Sequence, residues 1–165
     1  MNYLLDANTY IQAKNFQYRM SFCPAYWTWH DQQFEIGELG SIDLVLDELK
    51  KGKDELAEWA TDRPNQLIGV DDEETQKAFK SIATHITQHD VWKDPHVSDF
   101  LNVADPWLIA RAMTAGATIV THEVIAPNNS KKVKIPNVCQ AFGVDYISTY
   151  ELLDKLEAKF VLSNS

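Results

Sequence analysis

The chain has 165 residues, 45% of them hydrophobic and 24% charged, which is the size and make-up of one compact domain able to bury roughly 70% of its unfolded surface. That composition excludes disordered, collagen-like and coiled-coil chains. A formal charge of −9 excludes broad electrostatic capture of nucleic acid, so a polyanionic substrate would need metal ions or local basic clusters.

Tyr3-Leu4-Leu5 reads as a short apolar strand running into Asp6-Ala7-Asn8-Thr9, whose Asp, Asn and Thr are good N-cap types, and a helix is expected over 10–14. Pro24 suits a helix's first turn. The apolar positions Tyr26, Trp27, Trp29, Phe34, Ile36 and Leu39 carry that predicted helix to Leu39, with Gly40 closing it. Ser41-Ile42 is a very short strand, Asp43 an N-cap, and Leu44, Val45, Leu46 and Leu49 belong to a helix ended by Gly52. Another short helix is predicted over 54–61, limited by Pro64. Leu67-Ile68-Gly69-Val70 reads as a brief buried strand, after which Asp71-Asp72-Glu73-Glu74 puts acid at the favourable end of a long helix to about residue 88. Residues 89–103, with Pro95 and few periodic apolar positions, are expected to loop across the surface. A helix over 105–115, capped by Gly116, leads to the nearly continuous apolar strand Ala117-Thr118-Ile119-Val120. Pro127-Asn128-Asn129-Ser130 is a loop, 138–142 a helical turn or more, and Val144-Asp145-Tyr146-Ile147 a strand. Ser148 or Thr149 then caps a final helix to about residue 159.

Strands at roughly 2–5, 41–42, 67–70, 117–121 and 144–147 alternating with helices predict an α/β fold. It is one domain over 1–165, with a central, mostly parallel twisted sheet of about five short strands and helices on both faces. Cys23 and Cys139, the only two cysteines, lie outside any Cys-x-x-Cys spacing, which suits reduced thiols and a cytoplasmic setting rather than a disulfide framework. No signal peptide is expected, and no run nears the ~20 apolar residues of a membrane helix.

Open parallel sheets bind ligands beyond the carboxyl ends of their strands, near a topological switch point. Asp6 and Glu123 are expected at such ends, with Asp105 and Glu48 leaning over the same edge from their helices. Each acid alone has an ordinary reading: Asp6 and Asp105 as helix caps, Glu48 as a solvated helix residue, Glu123 as a loop acid. Together they would make an oxygen pocket for Mg²⁺ or Mn²⁺, and phosphodiester hydrolysis is the chemistry such a pocket serves best.

Leu4-Leu5-Asp6-Ala7-Asn8-Thr9 resembles the opening motif of PIN domains, in which an apolar strand delivers the first catalytic Asp. Val45-Leu46-Asp47-Glu48-Leu49 resembles the second motif, Ala104-Asp105-Pro106-Trp107-Leu108-Ile109-Ala110 the third, and Ile119-Val120-Thr121-His122-Glu123 the fourth. The resemblance runs from Asn2 to about Tyr150. The aromatic insertion over 26–34 and Lys51-Gly52-Lys53-Asp54-Glu55-Leu56 make it similar to an uncharacterised prokaryotic subfamily rather than the shortest toxin members.

The resemblance implies a metal-dependent nuclease, most often an RNA endonuclease leaving 5′-phosphate and 3′-hydroxyl ends. Asp6, Glu48, Asp105 and Glu123 would be both the catalytic acids and the ligands of one or two Mg²⁺ or Mn²⁺ ions. Asn8 and Thr121 would orient carboxylates or water. Glu123 departs from the Asp more common in the fourth motif. In many prokaryotic members the nuclease is the toxin of a VapBC-like toxin–antitoxin pair, which implies an antitoxin partner, and homodimers are frequent. DNA or flap structures stand as alternative substrates, and an inactive scaffold that binds protein stands as the non-enzymatic alternative. Phosphomonoester hydrolysis of the haloacid dehalogenase type needs a second Asp two residues after the first, where Asn8 stands.

Other candidates are weaker. His85 and His89 have i, i+4 spacing, but Ile86 replaces the Glu of a zinc-protease motif, and a solvent-facing pair is expected. His122 could touch a phosphate. Trp27, Trp29, Trp92 and Trp107 could stack bases, although core or interface roles are favoured for Trp107 and the Trp27-Trp29 pair. Lys50-Lys51-Gly52-Lys53 and Lys131-Lys132-Val133-Lys134 are the local basic clusters.

Overall fold

Leu4, Leu5, Ile119 and Val120 are wholly buried, as expected where a strand's two faces are both covered by helices. They belong to β1 (Tyr3–Leu5) and β4 (Thr118–Val120), the middle of a five-stranded sheet completed by β2 (Leu39–Ile42), β3 (Leu67–Ile68) and β5 (Tyr146–Ile147). The computed structural model describes residues 1–163. The strand order is β3-β2-β1-β4-β5 and every neighbouring pair is parallel, Leu4 lying between Gly40 and Ile119 in register. The chain builds outward from β1 to β3 and then crosses to β4, so the topological switch falls between β1 and β4.

The helices are α1 (Ala7–Asn15), α2 (Pro24–Glu35), α3 (Asp43–Lys50), α4 (Glu55–Thr61), α5 (Glu73–Thr87), α6 (His96–Leu101), α7 (Asp105–Ala115), α8 (Ile135–Phe142) and α9 (Thr149–Lys155). They form two packed groups. In one, α3 meets α1 and α4; in the other, α5 lies along α7 and both meet α8. Among the described residues no helix is long and apolar enough to cross a membrane.

Four of the helix starts are written in capping side chains. Asp6, Asp54, Asp72 and Ser148 each accept a hydrogen bond from the backbone N–H three residues on, an N-cap that contributes ~1 kcal/mol. Ser148 and Glu151 complete a reciprocal capping box. Gly116 and Gly143, both left-handed, close α7 and α8.

Several boundaries differ from those expected. The α2 helix stops at Glu35, because Gly37 adopts φ +82 and turns the chain. Leu39 and Gly40 are therefore strand residues, and Gly40 leaves room for the Met1 side chain, with which a Cβ would collide. Residues 89–103 are not all loop: α6 forms there, burying Val97 and Phe100 one turn apart. The β3 strand is confined to Leu67–Ile68 after a 3-10 turn at Pro64–Gln66. The α1 helix starts directly after Asp6, α8 starts at Ile135, and α9 ends at Lys155 rather than near residue 159.

The aromatic stretch in α2 is core. Tyr26, Trp27 and Trp29 are buried, Tyr26 stacks on Tyr18 at 4.2 Å between centroids, and Trp27 meets Trp59 edge-on at 5.0 Å. Inside this cluster His30 is buried, and its Nε2 has no hydrogen-bond partner among the described residues.

Candidate active site

Asp6 lies at the carboxyl end of β1 and Thr121 at that of β4, the two strands flanking the switch point. The Asp6 side chain is buried with both oxygens engaged: Oδ1 accepts from the Thr9 backbone N–H at 2.9 Å, and Oδ2 from the Thr121 hydroxyl at 2.7 Å. Thr9 returns its own hydroxyl to the Asp6 carbonyl at 2.8 Å. One residue thus caps α1, ends β1 and is clamped from β4.

Glu48 sits in the second turn of α3, whose other side buries Val45 and Leu49. Its Oε1 accepts from the backbone N–H of Ala104 at 2.8 Å. That contact caps α7 from a distance and fixes the residue just before Asp105. Glu123 does the same for α8: its Oε2 accepts from the Ile135 N–H at 2.7 Å, while its own N–H donates to the Thr121 hydroxyl at 3.1 Å. Lys134 Nζ is 3.8 Å from Glu123 Oε1. The N-termini of α1, α7 and α8 are therefore each held by one of these acids, and their dipoles supply partial positive charge without a cationic side chain.

Asp105 is the exception. It is half-buried as the first residue of α7, and among the described residues no hydrogen bond holds its carboxylate down. Burial pushes its pKa up to about 8, with the charges of Asp6, Glu123 and Glu48 adding to the rise and Lys134 opposing it. Burial likewise raises Asp6 to about 6, against the hydrogen bonds from Thr121 and Thr9, and Glu123 and Glu48 again contribute upward. Asp6 and Asp105 thus both feel the charges of Glu48 and Glu123, which are far from them in sequence.

As the side chains stand, no three His, Cys, Asp or Glu groups among the described residues are gathered tightly enough to hold a metal ion. The donor chemistry nevertheless fits a hard divalent cation. The donors are all carboxylate oxygens, and Asp6 and Asp105 are held back from ionising by burial first and by neighbouring carboxylates second, a penalty that a bound cation would reduce.

The remaining residues fall away from this centre. Asn8 is exposed, and the oxygens of Asp6 are taken by Thr9 and Thr121 instead. Thr9 was not singled out by sequence, although a Thr three residues after a capping Asp was a usable sign. His122 turns toward α9, its Nε2 3.1 Å from the Thr149 hydroxyl. His85 and His89 are half-buried rather than solvent-facing; His89 stacks on Trp92 at 3.8 Å, and its Nδ1 accepts from the Val91 and Trp92 N–H groups. Trp107 stacks on Phe79 at 3.7 Å.

A five-stranded parallel α/β sheet with this order and crossover defines a PIN-like fold. The same architecture recurs in a structure described as VapBC2 from Rickettsia felis bound to a DNA fragment from their promoter. It matches with a TM-score of 0.53 and 16% identity, covering 90% of this chain and 98% of that one. The chain belongs to the family described as Domain of unknown function (DUF4411), which matches residues 3–160. No curated protein matches its sequence.

Proposed function

We propose that this chain is a Mg²⁺- or Mn²⁺-dependent endoribonuclease that hydrolyses RNA phosphodiester bonds and serves as the toxin of a toxin–antitoxin pair. The observation that carries the nuclease reading is the placing of Asp6 and Glu123 beyond the ends of β1 and β4, with Glu48 and Glu123 near enough for their charges to bear on both Asp6 and Asp105. The fold shared with a chain of VapBC2 supports the toxin role and an antitoxin partner.

Asp6, Glu48, Asp105 and Glu123 would hold one or two ions. Held there, an ion would supply a lowered pKa for an attacking water and charge stabilisation for the leaving oxygen. The chain's own contribution is positional. Thr9 and Thr121 fix both oxygens of Asp6, so its carboxylate faces the site in one orientation. Glu48 and Glu123 anchor the starts of α7 and α8, which sets where Asp105 and Lys134 stand. Burial and the neighbouring acids raise the pKa of Asp105 to about 8, so binding of a cation there would be coupled to release of a proton.

The test is cleavage of single-stranded and structured RNA with Mn²⁺ by the wild type beside Asp6→Asn and Asp105→Asn. Loss of cleavage in both variants, with folding intact, is the expected result; equal cleavage by all three means the activity lies elsewhere. DNA in place of RNA in the same assay decides the polymer.

A further inference from the structure

Segment 131–134 leads into α8, with Lys134 extended at φ −120 and ψ 146. Val133 is buried while Lys132 is exposed and Lys134 half-exposed. With His96, Asp99 and Phe100 of α6, Lys132 and Lys134 line a groove that has Asp105 in its wall. The groove is fastened to the acidic centre on its own side, because Glu123 accepts from the Ile135 N–H and stands 3.8 Å from Lys134 Nζ. A second groove, containing Lys51 and Trp107, lies across Ala104 and borders Glu48. Val103, 40% exposed, lines both and forms the ridge between them.

On a chain of charge −9, cations beside a cluster of acids need a reason. Lys134 finds one in Glu123. Lys132 makes no ion pair among the described residues and projects into a groove that opens on Asp105. We infer that Lys132 and Lys134 form a phosphate subsite that grips the nucleic-acid backbone next to the bond being cut, seating the strand in the groove between α6 and the 131–134 segment. This rests on the nuclease reading of the acidic centre and adds to it the side from which substrate is held. The subsite recognises phosphate, not base or sugar. It therefore serves RNA and DNA strands alike and contributes affinity without sequence preference.

The probes are 5′-fluorescein-labelled oligouridylate and oligothymidylate twelve-mers, with binding followed by anisotropy across a KCl series and Ca²⁺ replacing Mg²⁺ to hold back cleavage. Each phosphate contact to a single strand contributes about 0.7 to the slope of log affinity against log salt. Lys132→Ala is expected to lower the slope by about 0.7 and weaken binding about fivefold near 0.1 M salt, equally for both polymers. Lys131→Ala, exposed and outside the groove, keeps the wild-type slope. The inference is overturned if Lys132→Ala binds like the wild type, if Lys131→Ala loses as much, if the loss is confined to one polymer, or if the wild type binds neither probe. Failure here with Asp105-dependent RNA cleavage intact removes only the subsite, whereas absence of cleavage removes the nuclease reading itself.

Discussion

The Thr121 hydroxyl donates to Asp6 Oδ2 at 2.7 Å across 115 residues of sequence, joining the ends of the two strands that flank the switch point. It also accepts from the Glu123 N–H, so one oxygen ties two of the four acids together. Because that hydrogen bond lowers the pKa of Asp6, Thr121→Val should move Asp6 above its present value of about 6. Carbon NMR titration of the carboxyl groups in chelator reads this directly, and Thr121→Ser should restore the wild-type titration. Loss of the hydrogen bond should reduce Mn²⁺-supported cleavage about 10-fold or more. An unchanged Asp6 titration in Thr121→Val would show that the contact does not govern this acid.

Asp105 makes the metal-free protein less stable as pH rises. Its folded pKa, about 8, lies above the ordinary 3.8. Well below pH 3.8 the group is protonated in folded and unfolded chains alike and carries no penalty. As pH climbs toward 8 the unfolded chain ionises and the folded one resists, so stability drains away over that window. Asp105→Asn removes this contribution and leaves that of Asp6, whose pKa is raised only to about 6. In chelator, the variant's Tm should match the wild type near pH 4 and exceed it by about 3–10 °C at pH 8, corresponding to ~1–3 kcal/mol. Parallel Tm curves across the whole range would contradict the raised pKa.

The sheet was legible because β1 and β4 are apolar on both faces and the acids stand at recognisable strand and helix ends. What escaped has local physical causes. Ile36 and Leu39 continue the apolar spacing of α2, yet Ile36 is 70% exposed and Gly37 has already turned the chain. The α6 helix offers only Val97 and Phe100 as inward positions, too few for a periodic pattern. In the site, the positions of Asp6 and Glu123 beyond strand ends and of Glu48 and Asp105 on α3 and α7 were readable from their order along an alternating α/β chain. The capping roles of Glu48 and Glu123 were not, since their N–H donors lie 56 and 12 residues away, far beyond the three-residue spacing of a local cap.

Divalent ions should bind the folded chain through the same acids that destabilise it. Free Mn²⁺ at ~100 times its dissociation constant stabilises by ~2.7 kcal/mol, which for a chain of this length raises Tm by about 5–10 °C. Differential scanning fluorimetry at pH 7.5 should give that rise for the wild type and a much smaller one for Asp6→Asn and Asp105→Asn. The two effects of Asp105→Asn then oppose each other: higher Tm without metal, little response with it. A Mn²⁺ response of equal size in all three proteins would place the ion elsewhere.

His30 should set the acid limit. Burial among Tyr10, Tyr26, Trp27, Trp29 and Trp59 lowers its pKa from 6.5 to about 3, only partly offset by Asp31, so the folded protein carries it neutral. The sign is opposite to that of Asp105. The stability it confers is present above pH 6.5 and falls as pH drops from there toward 3, because the unfolded chain takes up a proton that the folded one refuses, at ~1.4 kcal/mol per pH unit. Urea unfolding of the wild type between pH 7 and 4.5 should carry this slope, and His30→Phe should flatten it by about one proton whatever its stability at pH 7. Reading the slope rather than the absolute stability separates the titration from any misfit of the larger ring. If His30→Phe and the wild type lose stability in parallel on acidification, His30 is not the group that takes up the proton.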